Sequence, residues 1–182
     1  MNSVELMHRF RSALPAVREW IEHTLEQNRS AAVSVDTLSF PRLKNVFPAE
    51  LLVQAKVVVV QGKVPFPPLS QMGLPELSQM ESMSISGITY KDTFFINHLH
   101  QTESLYFHEL VHVVQWERLG VDRFLLAYGA GLMQFGYEDS PLEKMAYSLQ
   151  LDFDKGVLSA NTVEIIQQQT DAVWEQVSLL LS

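Results

Sequence analysis

Between Ser104 and Trp116 the chain reads SLYFHELVHVVQW, with two imidazoles and a carboxylate set among Leu105, Leu110, Val111, Val113 and Val114. A stretch this apolar packs into a core, where an ionisable group without a partner costs several kcal/mol. His108, Glu109 and His112 therefore demand partners, and whatever fold forms must deliver them. Residues four apart on an α-helix lie on one face, so His108 and His112 can aim both rings at one point with Glu109 beside the first. Two readings follow. Either these are core histidines bonded to backbone carbonyls with Glu109 in a salt bridge, or the pair holds a metal ion.

The spacing matches what metal chemistry needs. Zinc (Zn2+) held by two imidazoles lowers the pKa of water and polarises a carbonyl, and an adjacent glutamate can take the proton and pass it to a leaving amine. Such a site needs a third protein ligand. His98 and His100 in INHLHQ lie just before the helix, and Glu138, Asp139 and Glu143 lie downstream. Glu143 has a competing role, because Ser140-Pro-Leu-Glu143 is also a capping box in which the glutamate bonds the Ser140 N–H. On the residues alone, Glu143 and Glu138 both remain open as metal ligands. Tyr106, Tyr137 and Tyr147 are candidates to stabilise an oxyanion, Tyr147 foremost since it follows Glu143 by one turn.

The rest of the composition removes other chemistries. The chain has no cysteine, which excludes disulfides, thiolate metal sites and cysteine nucleophiles. A formal net charge of -8 argues against nucleic acid as a partner, since phosphate binding needs a basic face. No apolar run approaches the ~20 residues of a membrane-spanning helix, and MNSVELMHRFRSALP lacks the unbroken apolar core of a signal peptide. The expectation is a cytoplasmic protein with no membrane partner. At 182 residues, 1–182 reads as one domain.

Periodicity gives the elements. Apolar residues recur at helical spacing from Ser3 to about Asn28, with Pro15 expected to kink or split the run. A helical turn is expected from Val46 to Leu52, and AKVVVVQG (55–62) reads as a buried strand. The proline-rich stretch 63–82 reads as a long ordered loop. SISGITY and TFFINH flank Lys91-Asp92 as a hairpin. Helices are expected over Thr102–Leu119, stopped by Gly120; over Val121–Met133; from Ser140 as N-cap with Pro141 first; and over Asn161–Leu181. Strands early and helices late imply an α+β domain.

With these residues in place, the stretch from Ile88 to Leu151 resembles the zincin-like metallopeptidases, in particular the small gluzincin-type group. HELVHVVQW resembles their active-site helix, SPLEKMAY their ligand-bearing second helix, and GITYKDTFFIN the strand above their metal cleft. The resemblance implies a zincin-like fold, a small antiparallel or mixed sheet packed on the active-site helix, with His108, His112 and Glu143 as zinc ligands and Glu109 as general base. The chain departs from larger relatives in two places. Glu117-Arg118-Leu119-Gly120 stands where a longer zincin motif leads to another histidine, and Tyr147 stands where gluzincins often carry an acidic residue. The expected function is a zinc-dependent metallopeptidase on a polypeptide substrate, which would pair with the strand Thr93–Ile96. The alternative is an inactive zinc-binding module that engages a protein partner.

Overall fold

The computed structural model describes residues 3–181. The first helix, α1 (Ser3–Asn28), runs through Pro15 as one continuous element instead of dividing there. A proline inside a helix costs about 3 kcal/mol. Buried Phe10 and Ala13 on one side of Pro15, and Val17 and Ile21 on the other, anchor both halves to the same core and offset that cost. Two short helices follow where one turn was expected: α2 (Pro41–Val46) and α3 (Ala49–Gln54). Pro48 divides them, because the residue before a proline is pushed out of the helical region, and Phe47 is extended.

A four-stranded mixed sheet has the order β1-β2-β4-β3, with β1 Val33–Ser34, β2 Lys56–Val60, β3 Gly87–Tyr90 and β4 Thr93–Asn97. Strands β2 and β4 are parallel, and β1–β2 and β3–β4 are antiparallel. The hairpin turns at Lys91, which takes a left-handed φ of 61°. Phe94, Phe95 and Ile96 of β4 are fully buried, each stabilising the fold by roughly 1.5–3 kcal/mol. Because β4 is bonded on both sides, a substrate cannot pair with Thr93–Ile96 as expected. The edges of the sheet are β1 and β3, and β3 is the one that carries Thr89 to Glu109. Asn97 N–H donates to Ser86 O, so the alternation of an antiparallel ladder turns the backbones of Ile88 and Tyr90 towards β4 and those of Gly87 and Thr89 outwards.

Segment 63–82 is the ordered loop expected, with a 3₁₀ turn at Pro75–Leu77 and a short helix, α4 (Ser78–Ser82). Val64, Leu69, Leu74 and Leu77 bury themselves in the core. Arg9 of α1 ties the loop down through Glu76 and the Gly73 carbonyl, both at 2.6 Å.

Helix α5 (Glu103–Phe135) is the centre of the molecule, and every residue from Tyr106 to Trp116 is buried. It breaks at Gly120, where φ 72° and ψ 173° are non-helical, and resumes at once. The two expected helices, one stopped at Gly120 and the next starting at Val121, are therefore both present and joined across that kink. Helices α6 (Pro141–Lys155) and α7 (Thr162–Leu181) complete the chain. Phe107 of α5 stacks on Phe153 of α6 with centroids 4.4 Å apart, which fixes the two helices side by side. The architecture is α+β and mostly helical, and no helix among the described residues is long and apolar enough to cross a membrane.

Candidate metal centre

The packing of α6 on α5 places Glu143 against the histidine pair. His108 Nε2 and His112 Nε2 are 3.1 Å apart, and Glu143 Oε2 lies 3.3 Å from the first and 3.4 Å from the second. A tetrahedral zinc ion with donors about 2.0–2.1 Å away spaces those donors by roughly 3.3–3.4 Å. The triangle of donor atoms therefore has the edge lengths of one face of a zinc coordination sphere. His108, His112 and Glu143, all buried, form a group that could hold a metal ion. Glu138 and Asp139 are exposed, the latter beside Lys144 at 3.3 Å, and neither joins the group. His98 and His100 sit in a 3₁₀ turn (His98–His100) outside it.

Glu143 does not act as a cap. Ser140 is the N-cap of α6, yet no side-chain capping bond forms and its hydroxyl is buried without a partner. The carboxylate turns inward because two imidazoles and a phenol there outweigh a single N–H.

Each imidazole is held by an amide. His108 Nδ1 meets Gln150 Oε1 at 3.0 Å, and His112 Nδ1 meets Gln115 Oε1 at 2.8 Å. The amides are fixed, because Gln115 Nε2 donates to the Leu142 carbonyl and Gln150 Nε2 to Ser104 Oγ, whose own hydrogen goes to Asp154 Oδ2. An amide oxygen only accepts, so both Nδ1 atoms carry hydrogen and both Nε2 lone pairs of the neutral rings point into the triangle. That is the tautomer a metal needs.

Glu109 lies beside the triangle. Thr89 Oγ1 of β3 donates to its Oε2 at 2.6 Å. Its Oε1 faces Gly87, and a Cβ on Gly87 would stand 2.3 Å from that oxygen. Only glycine lets the edge strand pass so close to the carboxylate. Burial raises the Glu109 carboxyl, opposed by the two histidines and the Thr89 bond.

Without a metal ion the group forms an ion pair. Burial would raise the Glu143 carboxyl, but His112 and the bonds from both imidazoles hold it well below its usual range. Burial would lower the His112 imidazolium, but Glu143, Glu109 and the Gln115 bond push it up to about 9. A metal must displace that proton. Apparent zinc affinity should therefore rise with pH up to about 9, by roughly tenfold per unit for one proton, and level off above. Zinc titrations against a competing chelator across this range measure the slope, and a flat profile would contradict a protonated His112.

Of the tyrosines, Tyr106 packs between Phe40 and Phe94 and is no part of the group. Tyr147 is 43% exposed with its ring 4.6 Å from that of His108. Tyr137, not Tyr147, joins Glu109, His112 and Glu143 in lining a cavity whose other walls are mostly apolar, among them Phe66, Leu69, Ile85, Phe124 and Leu132. Gly87, Thr89 and Tyr128 carry no sequence signal for this site. Gln150 carries one, since it follows Glu143 by two helical turns and so shares its face.

No family model matches the chain, and no curated protein or solved structure matches it at a significant level. The functional reading therefore stands on the chemistry of this site.

Proposed function

We propose that the protein is a zinc-dependent metallopeptidase of the zincin type, with His108, His112 and Glu143 as ligands and Glu109 as general base. The observation that carries this is the pairing of a zinc-sized donor triangle with a carboxylate kept apart from it. A structural zinc site has four protein ligands, whereas a hydrolytic one keeps a position for water. Three donors and a buried, unligated Glu109 fit the second pattern.

Bound zinc would supply Lewis acidity towards water and a peptide carbonyl. Glu109 does the proton work. Thr89 occupies Oε2, so Oε1 takes the proton from the attacking water and later delivers it to the leaving amine. The substrate lies along β3, where Gly87 presents an outward N–H and C=O and Thr89 an outward N–H, the Thr89 carbonyl being taken by Trp116 Nε1 at 3.2 Å. The apolar cavity beyond Glu109 receives an apolar side chain of that substrate.

One observation favours a second reading, an inactive zinc-binding module with a protein partner. All four of His108, Glu109, His112 and Glu143 are at most 4% exposed. On the first reading, the 63–82 loop must give way for a substrate to enter.

The protein as purified should contain about one zinc per chain and hydrolyse unstructured polypeptides with apolar residues. Chelation should abolish hydrolysis and lower the melting temperature, because the ion clips α5 to α6; added zinc should restore both. Absence of zinc with melting insensitive to chelator would sink the metal centre. Full zinc with no turnover on any unfolded polypeptide would select the second reading.

A further inference from the structure

We infer that Tyr128 is a positioning residue for the metal centre, its hydroxyl holding one oxygen of Glu143 so that only the other faces the two imidazoles. This rests on the metal-centre reading above and adds the coordination mode of the third ligand.

A carboxylate has two equivalent oxygens, and a metal can take one or both. Here the two differ. Oε1 accepts from Tyr128 Oη at 2.5 Å, while Oε2 sits 3.3 and 3.4 Å from the two Nε2 atoms. A part-buried charge-assisted bond of this length is among the stronger ones a neutral donor makes. A carboxylate oxygen can only accept, so the phenol hydroxyl is the donor of this bond.

The ring is not free to swing away. It stacks on Phe124 at 5.6 Å and meets the His112 ring edge-on at 6.5 Å. Both aromatic neighbours belong to α5, and Tyr128 lies beyond the break at Gly120. The break thus separates the half of α5 that carries His108 and His112 from the half that carries Tyr128, and both halves reach Glu143 of α6. A ligand restricted to one oxygen leaves one coordination position fewer filled by protein. Tyr128 therefore decides whether the site stays three-coordinate from the chain.

Tyr128→Phe removes Oη and keeps the ring, so packing on Phe124 is retained. Zinc affinity, measured by competition with a chromophoric chelator, should fall by roughly 10–100-fold, the usual loss when a ligand's own hydrogen-bond partner is removed. The visible spectrum of the Co2+-loaded variant should weaken relative to wild type as Glu143 turns to bind through both oxygens and coordination number rises. Wild-type affinity and an unchanged cobalt spectrum in the variant would overturn the role of Tyr128 alone. Wild-type protein that binds neither metal would instead remove the metal centre itself. Should the variant not fold, a crystal structure of zinc-loaded wild type decides. Glu143 should bind through Oε2 only, with Tyr128 on Oε1, and a bidentate Glu143 would overturn the inference.

Discussion

Glu109→Gln should abolish peptide hydrolysis and leave zinc affinity within a few-fold of wild type. The amide has the shape of the carboxylate, and its oxygen can still accept the Thr89 hydroxyl now 2.6 Å from Oε2. It cannot take a proton from water near neutral pH. Loss of a general base typically costs about 10²–10⁴ in rate, and here the same group also protonates the leaving amine, so the upper end or beyond is expected. Glu109 is not among the atoms of the donor triangle, which is why zinc should stay. Replacing a buried ionisable group by a neutral isostere should leave the melting temperature equal or higher. Gly87→Ala offers an independent check from the other side of the carboxylate. The new methyl would lie 2.3 Å from Oε1 and 3.1 Å from Ile96 Cδ1, so Glu109 must leave its place. Activity should fall steeply with zinc retained. Hydrolysis at near wild-type rate in Glu109→Gln would remove Glu109 from the mechanism.

Glu143→Ala should lose zinc outright. It takes away the one ligand from α6 and leaves two imidazoles, a two-point site with nothing to close it. The drop should exceed the ~10–100-fold that loss of a ligand's outer partner brings. Stability should suffer as well, since His112 would lose its counter-charge and Tyr128 its acceptor in the core. Removing one partner of a buried ion pair costs about 3–5 kcal/mol. A helix-capping role alone would cost only ~0.5–2 kcal/mol and spare zinc. Glu143→Gln, which keeps the volume and an acceptor for Tyr128, separates folding from binding. Elemental analysis and chelator competition on both variants read the outcome. Zinc at full occupancy in Glu143→Ala would refute Glu143 as a ligand.

The central difficulty posed by SLYFHELVHVVQW was visible in the residues themselves. Three ionisable groups in an apolar helix must be paired, and the spacing of four puts both rings on one side. The helical runs, the valine strand and the hairpin were equally local matters of period and turn chemistry, and they stand with small changes of boundary. Glu143 was a different case. Its local surroundings, Ser140-Pro-Leu-Glu143, spell a capping box, and only the docking of α6 on α5 turned the carboxylate from Ser140 to the histidines. Local pattern lost to a buried charge seeking its partners.

The sheet order was likewise beyond the reach of period. Val57 and Val58 of β2 and Phe94 to Ile96 of β4 are all apolar, and nothing in such runs says which neighbour each will bond. Parallel pairing of β2 with β4 made β3 an edge strand and moved the proposed substrate strand from Thr93–Ile96 to Gly87–Tyr90. The same is true of Thr89, Tyr128 and Gln150, which reach their partners across 20, 15 and 42 positions of chain. By itself the sequence determined which groups need partners and which helix carries them. Tertiary structure decided which partners they have, because hydrogen bonds between distant residues exist only once the helices are packed.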